Sequence, residues 1–86
     1  MSGTWEIRFT KQARKDVEKL SPKLRAKLRD ILVEVLAEEP YAGKRLVGEL
    51  EGSYSYRLTF QDRIVYSLDE KRHILHVERA RTHYGD

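Results

Sequence analysis

Residues 52–68 read GSYSYRLTFQDRIVYSL. Tyr54, Tyr56 and Leu58 alternate with Ser55, Arg57 and Thr59. After a polar break, Ile64, Tyr66 and Leu68 alternate with Arg63, Val65 and Ser67. Side chains on a strand point to opposite faces in turn, so each run predicts a strand with one apolar and one polar face. The turn between them sets the register. A two-residue turn at Gln61-Asp62 would place Phe60 opposite Arg63 and Leu58 opposite Val65, mixing the faces. An odd loop over residues 60–62 places Leu58 opposite Ile64 and Tyr56 opposite Tyr66, and register follows the hydrophobic face. Such short loops usually carry a glycine, and this one has none. The choice predicts Thr59 facing Arg63, Arg57 facing Val65, and both arginines on the polar face.

The rest of the chain builds outward from that hairpin. HILHVER, residues 73–79, is apolar on both faces at Ile74, Leu75 and Val77, which predicts a central strand. KRLVGEL, residues 44–50, is a weaker strand candidate interrupted by Gly48. At the other end, Trp5, Ile7 and Phe9 alternate with Glu6 and Arg8, another half-buried strand. From Thr10 the period changes to helical, with Ala13, Val17 and Leu20 on one side and Thr10 as N-cap. Ser21-Pro22 ends that helix and starts a second, serine capping and proline occupying the first helical position. Its stripe is Leu24, Leu28, Ile31, Leu32, Val35 and Leu36, and Pro40 closes it. The order β-α-α-β-β-β predicts a single α+β domain over residues 1–86. A helical hairpin covers one face of a small antiparallel sheet, and the other face is left open.

Composition excludes several classes. The chain has 86 residues, no cysteine, and a net charge of +3. Disulfide and thiolate-metal stabilisation are therefore absent, and a reducing cytosol is the expected setting. No apolar run approaches the ~20 residues of a membrane span, and the N-terminus lacks the pattern of a secretory leader. His73, His76 and His83 lack tight ligand spacing and stand beside arginines, so no metal and no cofactor is expected. His73 and His76 read as structural or solvent-facing.

The polar face of the sheet carries Ser55, Arg57 and Arg63, and the chain closes on RARTHYGD, residues 79–86, with Arg81, His83 and Tyr84. Guanidinium groups hold phosphate through a planar fork of donors. A histidine titrates near neutrality and can transfer a proton. Together these suit RNA cleavage, in which the substrate supplies its own 2′-OH nucleophile. The site then aligns that group, stabilises charge on the phosphorus centre and protonates the departing 5′ oxygen.

The second half, with its arginine-led RIVY strand and terminal RTHY, resembles the RelE/ParE superfamily of toxins from bacterial toxin–antitoxin pairs. It is most similar to the YoeB-like branch of ribosome-dependent mRNA interferases, which have a microbial-RNase-like fold. The resemblance implies that Arg63 contacts the scissile phosphate. It also implies that His83 donates the proton, that Tyr84 orients the base, and that Arg81 and Arg57 add positive charge. Lys44 and Arg45 fall where the branch has a glutamate as general base. The base is then either Glu49 or Glu51, displaced in sequence, or basic residues replace it as in the RelE branch. A cognate antitoxin, the ribosome and mRNA are the implied partners, with no membrane. Two alternatives stay open: a ParE-like gyrase poison, and a non-catalytic RNA-binding module of the same fold.

Overall fold

The computed structural model describes residues 4–48 and 52–81, Arg81 by its backbone alone. Strand β1 (Glu6–Phe9) leads into helices α1 (Lys11–Glu18) and α2 (Pro22–Ile31). Strands β2 (Lys44–Arg45), β3 (Ser53–Arg57), β4 (Arg63–Asp69) and β5 (Ile74–Arg81) follow. The caps form as the sequence requires. Thr10 Oγ1 accepts from the Ala13 amide at 3.1 Å, and Ser21 Oγ accepts from the Leu24 amide at 3.2 Å, with Pro22 at the first turn. α2 runs on through a π turn at Leu32–Leu36 and a 3-10 turn at Pro40–Ala42. Among the described residues no helix is long and apolar enough to cross a membrane.

Packing, rather than propensity, holds the helices. At eight residues α1 is shorter than the ~12–15 that an isolated helix needs in water. A cap contributes about 1 kcal/mol, whereas each fully buried aliphatic side chain contributes about 1.5–3 kcal/mol. Ala13, Leu20, Leu28, Leu32 and Leu36 bury their side chains against Leu58, Ile64, Tyr66, Leu75, Val77 and Ala80 of the sheet and hairpin. The expected two-layer α+β architecture is the one observed.

The sheet has five strands in the order β1-β5-β4-β3-β2. It is mixed rather than wholly antiparallel, because β1 runs parallel to β5 with Ile7 beside Leu75 and Phe9 beside Val77. The hairpin keeps the predicted parity but shifts its register by two residues. Tyr54 faces Tyr66, Tyr56 faces Ile64, and Arg57 faces Arg63. The loop is therefore residues 58–62, and side-chain hydrogen bonds close it in place of a glycine. Thr59 Oγ1 donates to Asp62 Oδ2 at 2.7 Å and accepts from the Gln61 and Asp62 amides, while the Leu58 and Thr59 amides donate to the Asp62 carbonyl. Leu58, 1% exposed, plugs the core from inside that loop.

β1 reaches only as far as Val77, yet β5 continues to Arg81. The uncovered edge is satisfied from α1 and its cap. Thr10 donates to the Val77 carbonyl through its amide, at 3.0 Å, and to the Glu78 carbonyl through its hydroxyl, at 3.3 Å. Asp16 Oδ2 accepts from the Ala80 amide at 3.0 Å and from Arg79 Nε at 2.9 Å, and its Oδ1 accepts from Gln12 Nε2 at 3.1 Å. Burial alone would raise the Asp16 pKa. The hydrogen bonds from Arg79, Ala80 and Gln12, with the Arg79 charge, outweigh it and hold the carboxyl below its ordinary 3.8.

A second buried tie holds the connection into β2. Tyr66 Oη donates to the Pro40 carbonyl at 2.7 Å and accepts from the Gly43 amide at 3.0 Å. Burial is the main cause that pushes this phenol up to about 12, so it stays protonated and keeps donating. Gly43 is required for space: a Cβ there would collide with the Tyr66 hydroxyl and sit 3.0 Å from the Ser55 carbonyl.

Two outcomes follow from these ties. Asp16→Ala leaves the buried Ala80 amide without its acceptor, an expected loss of about 1–3 kcal/mol in urea unfolding at neutral pH. The native pKa is depressed, so the carboxylate's contribution is complete above its unfolded value and fades as pH falls through the lower native one. The gap between wild type and variant should therefore close in acid, and a gap independent of pH would rule this account out. Gly43→Ala and Tyr66→Phe should each destabilise, the latter by about 1–3 kcal/mol. Combined they should cost less than their sum, because removing the hydroxyl removes the main collision. Additive losses would show that the two positions do not meet.

Candidate nucleic-acid interface

Cross-strand register assembles the charged positions. Arg57 of β3 faces Arg63 of β4, and Arg63 faces Arg81 of β5, so three arginines occupy one rung of the sheet. Like charges directly opposite one another destabilise a sheet. The described ion pairs are Arg8 with Glu6 and Arg79 with Asp16, and neither Arg57 nor Arg63 takes part in them. A rung of this kind is a ready receptor for an anion.

β2 covers β3 only from Tyr54 to Ser55, leaving the outer edge of β3 free beyond it. That edge opens into a groove of about 660 Å³. Arg57 and Arg63 lie along it, Lys44 flanks it from β2, and Lys27 reaches it from α2. Among the described residues no carboxylate lines it. Lys44 is registered opposite Ser55 and lines the groove. Arg45 is registered opposite Tyr54, whose ring stacks on Tyr66 at 5.5 Å, and is turned away from the groove. A strand alternates its side chains, so Lys44 and Arg45 cannot both serve one face.

Ser55 also lines the groove, but it is not on an open surface: the residue is 6% exposed. Its hydroxyl has no hydrogen-bond partner among the described residues. A buried hydroxyl without a partner is a local cost to the fold. Val65, beside it on β4, is also buried.

Glu49, Glu51, His83 and Tyr84 lie outside the described residues, and Arg81 is placed by its backbone only. Another carboxylate does stand on the polar side of the sheet. A register shift opposite Val65 and Tyr66 leaves Glu78 as the extra residue of β5. Its carboxylate accepts from Ser53 Oγ at 3.0 Å and Ser67 Oγ at 2.9 Å. His76 is registered opposite Ser67 and Arg8, and His73 stacks on Trp5 at 4.8 Å, away from the arginine rung. Sequence reading missed Lys27 and Glu78. Lys27 precedes Ile31 by one helical turn on the flank of the apolar stripe, a weak signal for a groove-facing cation. A β-bulge has no signature in the apolar pattern around Glu78.

Comparison with known proteins agrees with this fold. The chain is 31% identical to a chain of the toxin–antitoxin complex RelBE2 from Mycobacterium tuberculosis, with a TM-score of 0.86, covering 100% of this chain and 98% of that one. It is 27% identical to the YoeB/ParE toxin from Agrobacterium tumefaciens, at a TM-score of 0.80, covering 92% and 99%. It is also 27% identical to a chain of the intact RelBE toxin–antitoxin complex of E. coli, at a TM-score of 0.75, covering 91% and 95%. A search of curated proteins finds no match. The family profile described as the ParE-like toxin of type II bacterial toxin–antitoxin systems matches residues 7–84, and the chain belongs to that family.

Proposed function

We propose that the protein is a ribosome-dependent endoribonuclease that cleaves mRNA in the cytoplasm and is silenced by a cognate antitoxin. The observation that carries this reading is the rung Arg57–Arg63–Arg81 beside a groove to which the described residues bring cations and no carboxylate. The relatives with antitoxin-containing structures support the partner. In the reaction a base removes the proton of the ribose 2′-OH and the 2′ oxygen bonds to phosphorus. The bond from phosphorus to the 5′ oxygen breaks, and an acid protonates that oxygen. The products are a 2′,3′-cyclic phosphate and a 5′-hydroxyl.

The arginines stabilise the charge that builds on the non-bridging oxygens, where preorganised donors act most strongly. In this reading Arg63 is the central phosphate contact, with Arg57 and Arg81 on either side and Lys44 near the Ser55 floor. His83 supplies the proton and Tyr84 positions the base. Glu49 or Glu51 takes the 2′ proton, or the neighbouring cations lower the pKa of the 2′-OH enough to make a carboxylate unnecessary. The family description names ParE, so gyrase poisoning is the second reading. A sheet face with an arginine rung favours the nuclease.

Programmed ribosomes with end-labelled mRNA test the proposal. Arg63→Ala is expected to lower the single-turnover rate by about 10²-fold or more while the far-UV spectrum and urea midpoint stay near wild type. A folded variant cutting at the normal rate would remove Arg63 from the site. His83→Ala should lose rate at saturating ribosomes more than it loses binding, and a 5′-thio leaving group, which needs little protonation, should restore cleavage. No rescue would end the acid assignment. Intact mRNA together with inhibited DNA supercoiling would establish the second reading.

A further inference from the structure

Lys27 and Phe60 both line the groove, and no step above uses either. Lys27 is exposed on α2, and Ile31, one turn later, lines the same groove. Facing them across the groove are the free edge of β3 and the 58–62 loop, which carries Phe60. Phe60 is 89% exposed, yet the loop that holds it is fixed by the Thr59–Asp62 hydrogen bonds and by Leu58 seated in the core. A phenylalanine ring kept in water on a braced loop contributes nothing to the core. Beside a cationic groove it offers a flat apolar face.

We infer that this groove binds single-stranded RNA, with Lys27 holding a backbone phosphate from the helix side and Phe60 stacking a base at the hairpin tip. The assignment rests on the reading of the arginine rung as an RNA site and adds the means of positioning the strand. Four cations, Lys27, Lys44, Arg57 and Arg63, supply charge along the backbone, while an aromatic platform accepts any base. A single strand exposes both its phosphates and its base faces to such a wall. A duplex hides its base faces in the stack and offers Phe60 nothing. An acidic peptide would answer the cations, but a ring left 89% exposed at the rim offers a flat face that a base covers and an acidic side chain does not.

The test uses the whole protein and a short oligoribonucleotide carrying 2′-O-methyl groups, so that cleavage cannot occur. Binding is followed by fluorescence anisotropy over a range of salt. Wild type should bind the single strand more tightly than the same sequence in a duplex, and more tightly than polyglutamate of equal charge. Lys27→Gln should reduce the slope of log affinity against log salt by about 0.7, the loss of one phosphate contact on a single strand, and Lys27→Arg should restore it. Phe60→Ala should weaken binding by about tenfold with the slope unchanged, and Phe60→Trp should recover it. Unchanged slope in Lys27→Gln, unchanged affinity in Phe60→Ala, or tighter binding of polyglutamate would each overturn the inference. If the ribosome assay shows no cleavage while this pattern holds, the nuclease reading fails and the strand-binding groove stands. If cleavage is present and the pattern is absent, the groove assignment fails alone.

Discussion

The carboxylate of Asp16 is the contact on which the rest of the arrangement depends. β1 ends at Phe9, and the strand it pairs with continues past it to Arg81. Without a substitute partner, the second half of β5 would present open backbone groups beneath a helix, where water cannot satisfy them. Thr10 supplies the two missing donors and Asp16 the missing acceptor, so one turn of helix takes over from the strand that stopped. The consequence reaches the site. Because β5 stays in the sheet to its end, Arg81 is delivered opposite Arg63. A shorter β5 would leave the rung two arginines wide.

Charge is handled differently on the two sides of β5. Arg79 is neutralised by Asp16 at 2.9 Å, and its partner is almost wholly buried. Arg57 and Arg63, two residue pairs nearer the hairpin, are left facing each other. Their repulsion is moderate because Arg57 is exposed and Arg63 half-exposed, where water and salt screen it. It is still a local cost with no structural return. An arrangement that breaks the rule against like charges on adjacent strands, next to a groove where no described residue places a carboxylate, has the character of a functional site held against stability.

How far this could be read from residues alone varies from one feature to the next. The caps at Thr10 and Ser21-Pro22, the apolar stripe of α2 and the inside–outside parity of β1, β3 and β4 were all legible, because each is set by spacing within one element. The hairpin register was read two residues out. The reading assumed a short loop, and a Thr–Asp pair closes a longer one by side-chain hydrogen bonds that have no apolar signature. The parallel pairing of β1 with β5 and the bulge at Glu78 depend on contacts between residues far apart in sequence. Asp16 did leave a trace: it follows Ala13 by three residues and so shares the buried side of α1, where an acid needs partners. The groove needed the fold, since Lys27 and Arg57 stand on different layers. The family resemblance, by contrast, rested on RIVY and RTHY, and half of that motif lies outside the described residues.

A cluster of like charges cannot position itself, so its geometry has to come from beneath. Two buried ties serve that purpose from opposite sides of the sheet. Asp16 anchors the end of β5, and Tyr66 pins Pro40 and Gly43, which fixes where β2 begins and so sets Lys44 beside Ser55. The Asp16 tie lies away from the groove, the Tyr66 tie reaches its wall only at Gly43, and neither uses a groove cation. The frame and the cations are therefore separable in kind. Substitutions in the ties act on stability and carry the site down with them, whereas substitutions among Lys27, Lys44, Arg57 and Arg63 remove repulsion and leave the frame standing. Natural sites that hold unpaired charge against their own stability show this asymmetry, because the surrounding structure is selected to keep an arrangement that the charges themselves oppose.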